Sequence, residues 1–247
     1  MNQPEKRLDG REPGAIRPIT IQRQYTKYSP GSVLISFGET KVLCTASIAE
    51  KVPHFLRDSG RGWITAEYSM LPSATHTRMD RELKRGKPSG RTSEIQRLIG
   101  RSLRSVVNFE ALGERTIHID ADVIQADGGT RTAAITGSIV ALSDAIAHLK
   151  AEDRISVNPL RELLAAVSVG VVDGQVYCDL CYEEDSSAEV DMNIVMTESG
   201  QFVEVQGTGE EHPFSQDQFH QLLESGKHGV EQLISVVKSE LAIVAVS

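Results

Sequence analysis

DADVIQADGGTRTAAITG, residues 120–137, decides the fold: an alternating polar and apolar run, a two-glycine turn carrying Thr130 and Arg131, and the start of an apolar helical pattern. Paired glycines let backbone N–H groups approach an anion closely, and a helix beginning just after them adds the positive end of its dipole. Arg131 is placed to fork two donors onto a phosphate, and Thr130 can add a hydroxyl. From the loop alone, a tight strand-to-helix connection with a solvated arginine reads equally well, because short glycine patterns recur by chance.

On the upstream side, residues 116–123 alternate cleanly, with Ile117, Ile119, Ala121 and Val123 on one face and His118, Asp120 and Asp122 on the other. His118 has no partner at a telling spacing and reads as a sheet-surface residue. Downstream, Ile135, Ile139, Leu142, Ile146 and Leu149 recur at helical spacing, and Gly137 suits close packing. Further strands are expected at 32–37 and 41–48 around a turn at 38–40, and at 65–71. In the second half, 165–172 and 175–182 flank Asp173-Gly174, a type I′ hairpin signal, and 191–197 and 201–206 flank Ser199-Gly200. Ser215 with Gln218 makes a capping box for a long C-terminal helix interrupted by glycine. The halves repeat in outline, so the chain reads as one α/β (α+β) domain over residues 1–247 with mixed sheets, packed helices and a possible internal duplication. Residues 1–17 read as a charged arm lying on the surface or on a neighbour.

Residues 72–92, PSATHTRMDRELKRGKPSGRT, form a long loop with little apolar periodicity, and loops of that length inside a domain are often functional. The helix after it, capped by Thr92 or Ser93, packs Ile95, Leu98, Ile99, Leu103 and Val106 and turns Arg97, Arg101 and Arg104 elsewhere. From residue 78 to 104 nine bases (Arg78, Arg81, Lys84, Arg85, Lys87, Arg91, Arg97, Arg101, Arg104) face three acids (Asp80, Glu82, Glu94), in a chain of net charge −8. That excess suits the neutralisation of nucleic-acid phosphates, the alternative being a solvated loop and a polar helix face. Aromatic residues are not interleaved, so base stacking is not suggested.

The acids concentrate in CDLCYEEDSSAEVDMN, where Asp179, Glu183, Glu184, Asp185, Glu189 and Asp191 crowd one connection. Acids favour turns, which explains such a cluster; alternatively, two of the carboxylates hold a hard divalent cation on substrate phosphates. Cys44, Cys178 and Cys181 are odd in number and sit in apolar runs, as buried thiols in a reducing compartment do. The polar N-terminus and the lack of a continuous apolar span predict a soluble, cytoplasmic protein with no membrane partner.

The strings GWITAEYSMLP (62–72), SGRTSEIQRLIGRSLR (89–104), DVIQADGGTRTAAITG (122–137), and EEDSSAEVDMNIVMT with FVEVQGTGEE (183–211) resemble the bacterial ribonuclease PH family of phosphorolytic exoribonucleases. The resemblance runs from Asp9-Gly10-Arg11 to the C-terminal helix. It implies the fold of that family, related to the second domain of ribosomal protein S5. It also implies a phosphate-dependent tRNA nucleotidyltransferase that trims tRNA precursors and other RNA 3′ ends beyond the CCA sequence. Such enzymes release nucleoside diphosphates, run reversibly, and assemble as a homo-hexameric ring, a trimer of dimers. Motif by motif, the resemblance places inorganic phosphate at Arg91, Gly129, Thr130 and Arg131, Mg²⁺ on the catalytic pair Asp185 and Asp191, and RNA on Arg78 and Arg81 of the basic loop 73–91. Asp179 becomes an outer helper of the carboxylates. The chain departs from the family at Ser73, where relatives commonly have arginine in LPRAT. Two rivals remain: a non-catalytic RNA-binding ring subunit, expected to lose the carboxylate pair or the phosphate arginines, and a small-molecule kinase, which leaves the basic loop without a task.

Overall fold

The computed structural model describes residue 7 and residues 9–82, 86–210 and 212–243. Residues 1–6 and 8 of the proposed arm, residues 83–85 with Lys84 and Arg85 of the basic run, Glu211 and residues 244–247 lie outside the described residues. The elements run β1 (Ile19–Arg23), β2 (Gly31–Phe37), β3 (Thr40–Ala49), β4 (Trp63–Met70), α1 (Gly90–Ser105), α2 (Phe109–Leu112), β5 (Thr116–Gln125) and α3 (Thr130–Ala151) in the first half. The second half adds β6 (Leu164–Val172), β7 (Gln175–Cys178), α4 (Tyr182–Ser187), β8 (Val190–Thr197), β9 (Phe202–Gly209) and α5 (Gln216–Ile243).

Five strands form one sheet in the order β1-β2-β3-β5-β4, and four form another in the order β7-β6-β8-β9. In the first sheet β4 and β5 are parallel, because α1 and α2 carry the chain across between them; the other pairings are antiparallel. Each half thus supplies one sheet, but the first carries two long helices and the second one, and the two strand orders differ.

α3 lies between the sheets, against β2, β3 and β5 on one side and β6 on the other, while α5 covers the far face of the second sheet. That position explains its sequence. A helix with sheets on both sides is apolar nearly all round, and α3 is long and apolar enough to resemble a membrane span by composition alone, yet 78% of its most apolar window is buried inside the protein. β6, LAAVSVGVV, is buried at every position for the same reason, with helices on both of its faces. Gly137 lets α3 approach the first sheet: a Cβ there would sit 2.7 Å from Cys44 Sγ and from Ile35 Cγ2.

Several sequence expectations need correction. The cap of α1 is Ser89 rather than Thr92 or Ser93; its hydroxyl accepts from the Thr92 N–H at 3.1 Å. The strand expected over 175–182 stops at Cys178, because Asp179 takes a left-handed backbone (φ 55°) and Cys181 with Glu184 caps the short helix α4. The basic face of α1 is partly spent on packing: Arg104 lies 4.8 Å over the Trp63 ring and donates to the Ile64 carbonyl, and Arg101 pairs with Glu204 at 2.6 Å. In the described part of the arm Asp9, Gly10 and Glu12 are exposed, as expected of a surface segment, whereas Arg7 and Arg17 are each only 4% exposed. Cys44 and Cys178 are buried thiols as expected, burial pushing both up to about 12, but Cys181 is half-buried.

Candidate active site

β5 delivers the chain to Gly128 and Gly129, both left-handed (φ 71° and 65°), and α3 starts at the next residue. Glycine is required at 128 by more than its dihedral. A Cβ would lie 2.5 Å from the Leu180 carbonyl oxygen and 2.8 Å from the Tyr182 nitrogen, so this loop is the place where the acidic segment of the second half presses on the first. The Thr40 hydroxyl ties the loop down, donating to the Gly128 carbonyl at 2.6 Å and accepting from the Asp127 N–H at 2.9 Å. Ala133 is the first residue whose N–H returns to the turn, reaching the Gly129 carbonyl at 3.0 Å, and the N–H groups before it have no intrahelical acceptor.

A cavity of about 790 Å³ opens in front of those N–H groups. Arg91, Gly129, Thr130, Arg131, Asp185 and Asp191, the residues predicted for phosphate and cation, all line it. Arg78 lines it too, whereas Arg81 does not. Arg91 and Arg131 stand in the first turns of α1 and α3; Asp185 comes from α4 and Asp191 from β8. Four elements from both halves therefore converge on one space.

The polar contacts hold some of these groups and leave others free to meet a ligand. Arg131 donates to the Gln206 side-chain oxygen at 2.9 Å, and Gln206 in turn donates to Glu94 at 2.6 Å. The Thr130 hydroxyl accepts from the Tyr68 hydroxyl at 2.9 Å. Glu82 accepts from the Thr92 hydroxyl at 2.8 Å, tying the long loop to the start of α1 beside Arg91. Asn193 donates to Asp191 Oδ2 at 3.4 Å, but Oδ1 of the same carboxylate is buried with no hydrogen-bond partner. Burial pushes the Asp191 carboxyl up to about 6, with the charge of Asp185 adding to it and Arg131 opposing. Burial also raises Asp185, against the nearby positive charges of Arg91 and Arg131.

Asp179 stands apart from this pair. It is fully buried behind the cavity and its carboxylate is taken by Arg17, so any help it gives the pair is indirect. Sequence reasoning also missed Tyr68, Ser168, Tyr182 and Asn193 on the cavity wall. The strand period carried a signal for Asn193, which lies two residues from Asp191 on the same face of β8.

The donor set fits Mg²⁺. Two hard carboxylates with an unpartnered buried oxygen are what that ion takes from a protein, with its other ligands drawn from water and substrate phosphate. Among the described residues no group of three or more His, Cys, Asp or Glu side chains could form an all-protein metal cage.

Comparison with known proteins gives matches over both halves of the chain. Residues 15–147 match the family described as "3′ exoribonuclease family, domain 1", and residues 162–229 match "3′ exoribonuclease family, domain 2". Among solved structures, the crystal structure of rice (Oryza sativa) Rrp46 superposes with a TM-score of 0.77 at 20% identity, covering 95% of this chain and 100% of that one. The Archaeoglobus fulgidus exosome with RNA bound to the active site gives 0.79 at 22% identity, covering 93% and 91%. An archaeal exosome core gives 0.76 at 20% identity, covering 94% and 91%. At these identities the structural likeness is one of fold.

Proposed function

Since this chain belongs to the 3′ exoribonuclease family, we propose that it is a phosphorolytic 3′→5′ exoribonuclease of the ribonuclease PH type, trimming tRNA precursors and other RNA 3′ ends. The observation that carries the reading is the meeting of Arg91 and Arg131 with Asp185 and Asp191 in one cavity, one carboxylate oxygen of which has no partner. A ring subunit that only binds RNA has no use for that arrangement.

The reaction follows from charge. Hydrogen phosphate, an anion, attacks the terminal phosphodiester, also an anion, so repulsion is a large part of the barrier and placement with charge neutralisation lowers it. Arg91, Arg131 and the N–H groups before Ala133 bind and aim the attacking phosphate. A bond forms between its oxygen and the terminal phosphorus as the bond to the 3′ oxygen breaks. The proton of hydrogen phosphate ends on the freed 3′ hydroxyl, and a nucleoside diphosphate leaves. Asp185 and Asp191 would hold Mg²⁺, which would supply positive charge to offset the negative charge that develops in the transfer. One ester is exchanged for one anhydride between anions, so the step runs in reverse when diphosphates are abundant. The basic loop, through Arg78 and Arg81, is assigned to the incoming RNA strand. The assembly proposed is a homo-hexameric ring, a trimer of dimers, working in the cytoplasm.

A tRNA precursor with a labelled 3′ extension, incubated with Mg²⁺ with and without inorganic phosphate, tests the reading. Nucleoside diphosphates released only when phosphate is present are expected. Monophosphates without phosphate would mean hydrolysis, and bound but intact RNA would favour the non-catalytic subunit.

A further inference from the structure

Behind the cavity lies a second layer of charge that the chemistry above does not use. Arg17 donates through its backbone N–H (2.7 Å) and Nε (3.0 Å) to Asp179 Oδ2 and through Nη2 to Oδ1 (2.8 Å). The same guanidinium reaches the phosphate loop, Nη1 donating to the Asp127 carbonyl at 2.5 Å and Nη2 to the Gly128 carbonyl at 3.4 Å. A few ångströms away Arg7 forks onto Glu184, at 2.8 and 2.6 Å, and its remaining donors reach the Cys178 carbonyl at 2.7 Å and the Asp179 carbonyl at 3.0 Å. Glu184 is the residue before Asp185 and, through its bond from the Cys181 N–H (3.1 Å), fixes the start of α4. Arg7, Arg17, Asp179 and Glu184 are each no more than 4% exposed.

We propose that Arg17 and Arg7 are positioning residues with separate duties: Arg17, gripped by Asp179, holds the phosphate loop, and Arg7, gripped by Glu184, holds the helix that presents Asp185 to the cation. The inference rests on the function proposed above. Its physical basis is that a short glycine turn and a six-residue helix have little packing of their own to fix them. Each is held in addition by a planar fork reaching in from the N-terminal segment, which on the loop acts beside the Thr40 hydroxyl. Arg17 spans a carboxylate on one side and the two carbonyls leading into Gly129 on the other, so loss of the fork frees the backbone that places the anion-binding N–H groups. Arg7 never reaches that loop; its acceptors are all in residues 13–15 and the segment 178–184. Arg11 stands between the two pairs, 3.7 Å from Asp179 and 3.6 Å from Glu184, so each duty shows as the larger loss for its own ligand, which a general contribution to stability does not give.

Arg17→Lys and Arg7→Lys keep the charge and lose the fork. Calorimetric titration of the full-length protein with inorganic phosphate alone and with Mg²⁺ alone reads the two duties directly, without turnover. Arg17→Lys is expected to weaken phosphate binding by about 10- to 100-fold and leave Mg²⁺ affinity within about threefold, and Arg7→Lys to do the reverse. Asp179→Asn and Glu184→Gln, approached from the partner side, give the same division and serve where a lysine variant does not fold. Equal losses for both ligands in all variants, or variants altered only in melting temperature, overturn the inference alone. A wild-type protein that binds neither phosphate nor Mg²⁺ overturns the exoribonuclease reading and takes this inference with it.

Discussion

Asp191→Asn should make the protein more stable and nearly inactive at once. The Asp191 carboxyl sits at about 6 against an ordinary value of 3.8, because it is buried beside Asp185 and has one unpartnered oxygen. A shift of that size, at about 1.4 kcal/mol per unit, means that the ionised carboxylate weakens the fold by on the order of 2 to 3 kcal/mol above pH 7. The sign follows from proton linkage: between pH 3.8 and about 6 the folded protein binds the proton that the unfolded chain has released, so this group's contribution to stability falls as pH rises through that window. Asparagine keeps the shape without the charge. The variant should therefore melt roughly 5 to 10 °C higher at pH 8 without Mg²⁺, and the gap should close towards pH 4, where the wild-type carboxyl is protonated as well. Mg²⁺ should narrow the gap at pH 8, because an ion that binds the native wild type and not the variant stabilises only the former. Thermal melts at pH 8, 6 and 4, with and without Mg²⁺, read each part. A variant no more stable than wild type at pH 8, or a gap that ignores pH, refutes the account of Asp191 as an uncompensated buried charge.

Arg131→Ala should lower turnover by at least about 10² at saturating RNA while the ring still forms, measured as diphosphate release. Gly128→Ala should cost on the order of 2 kcal/mol or more in a denaturant titration, since the new methyl meets the Leu180 carbonyl at 2.5 Å on a left-handed backbone; near-normal stability would show that the loop can move aside. For the RNA path, Arg78→Gln should flatten the plot of log binding constant against log salt by about 0.7, the value for one phosphate contact on a single strand. Arg81→Gln should flatten it less, as Arg81 does not line the cavity; equal slopes would place both arginines on the strand.

The parts of this fold that were legible in the sequence are those specified locally. The strand before the glycine turn, the apolar stripes of α1 and α3, and the Asp173-Gly174 hairpin each follow from spacing or turn chemistry within a dozen residues. The failures have a common cause. Residues 175–182, QVYCDLCY, keep apolar residues at alternate positions past Cys178, so the spacing did not mark where β7 ends and α4 begins. Arg104 looks like part of a basic face until Trp63, forty-one positions earlier, supplies a ring beneath it. Arg17 and Asp179 are 162 residues apart, and nothing at either position announces the other. Of the site, the phosphate side could be argued from the glycines and Arg131, whereas the choice of Asp185 and Asp191 among six nearby acids came from motif resemblance alone.

The distribution of unpaired charge supports the proposed catalyst over a binding subunit more directly than the inventory of motifs does. Away from the cavity, among the described residues, the buried pairs Arg7 with Glu184 and Arg17 with Asp179, and the half-buried pair Arg23 with Asp144, are matched in charge. Inside the cavity two carboxylates stand together with raised affinity for protons, one of them with an oxygen that nothing in the protein satisfies. A lone buried carboxylate costs the fold far more than an apolar residue of similar size would, so a subunit that merely held RNA in a ring would be more stable without Asp191. Under the proposed function, a cation on the carboxylates and an anion on the arginines would offset that charge, the two charges that phosphate attack on a phosphodiester requires. The matched pairs behind the cavity then have a function of their own: they hold rigid the backbone on which that uncompensated charge is mounted.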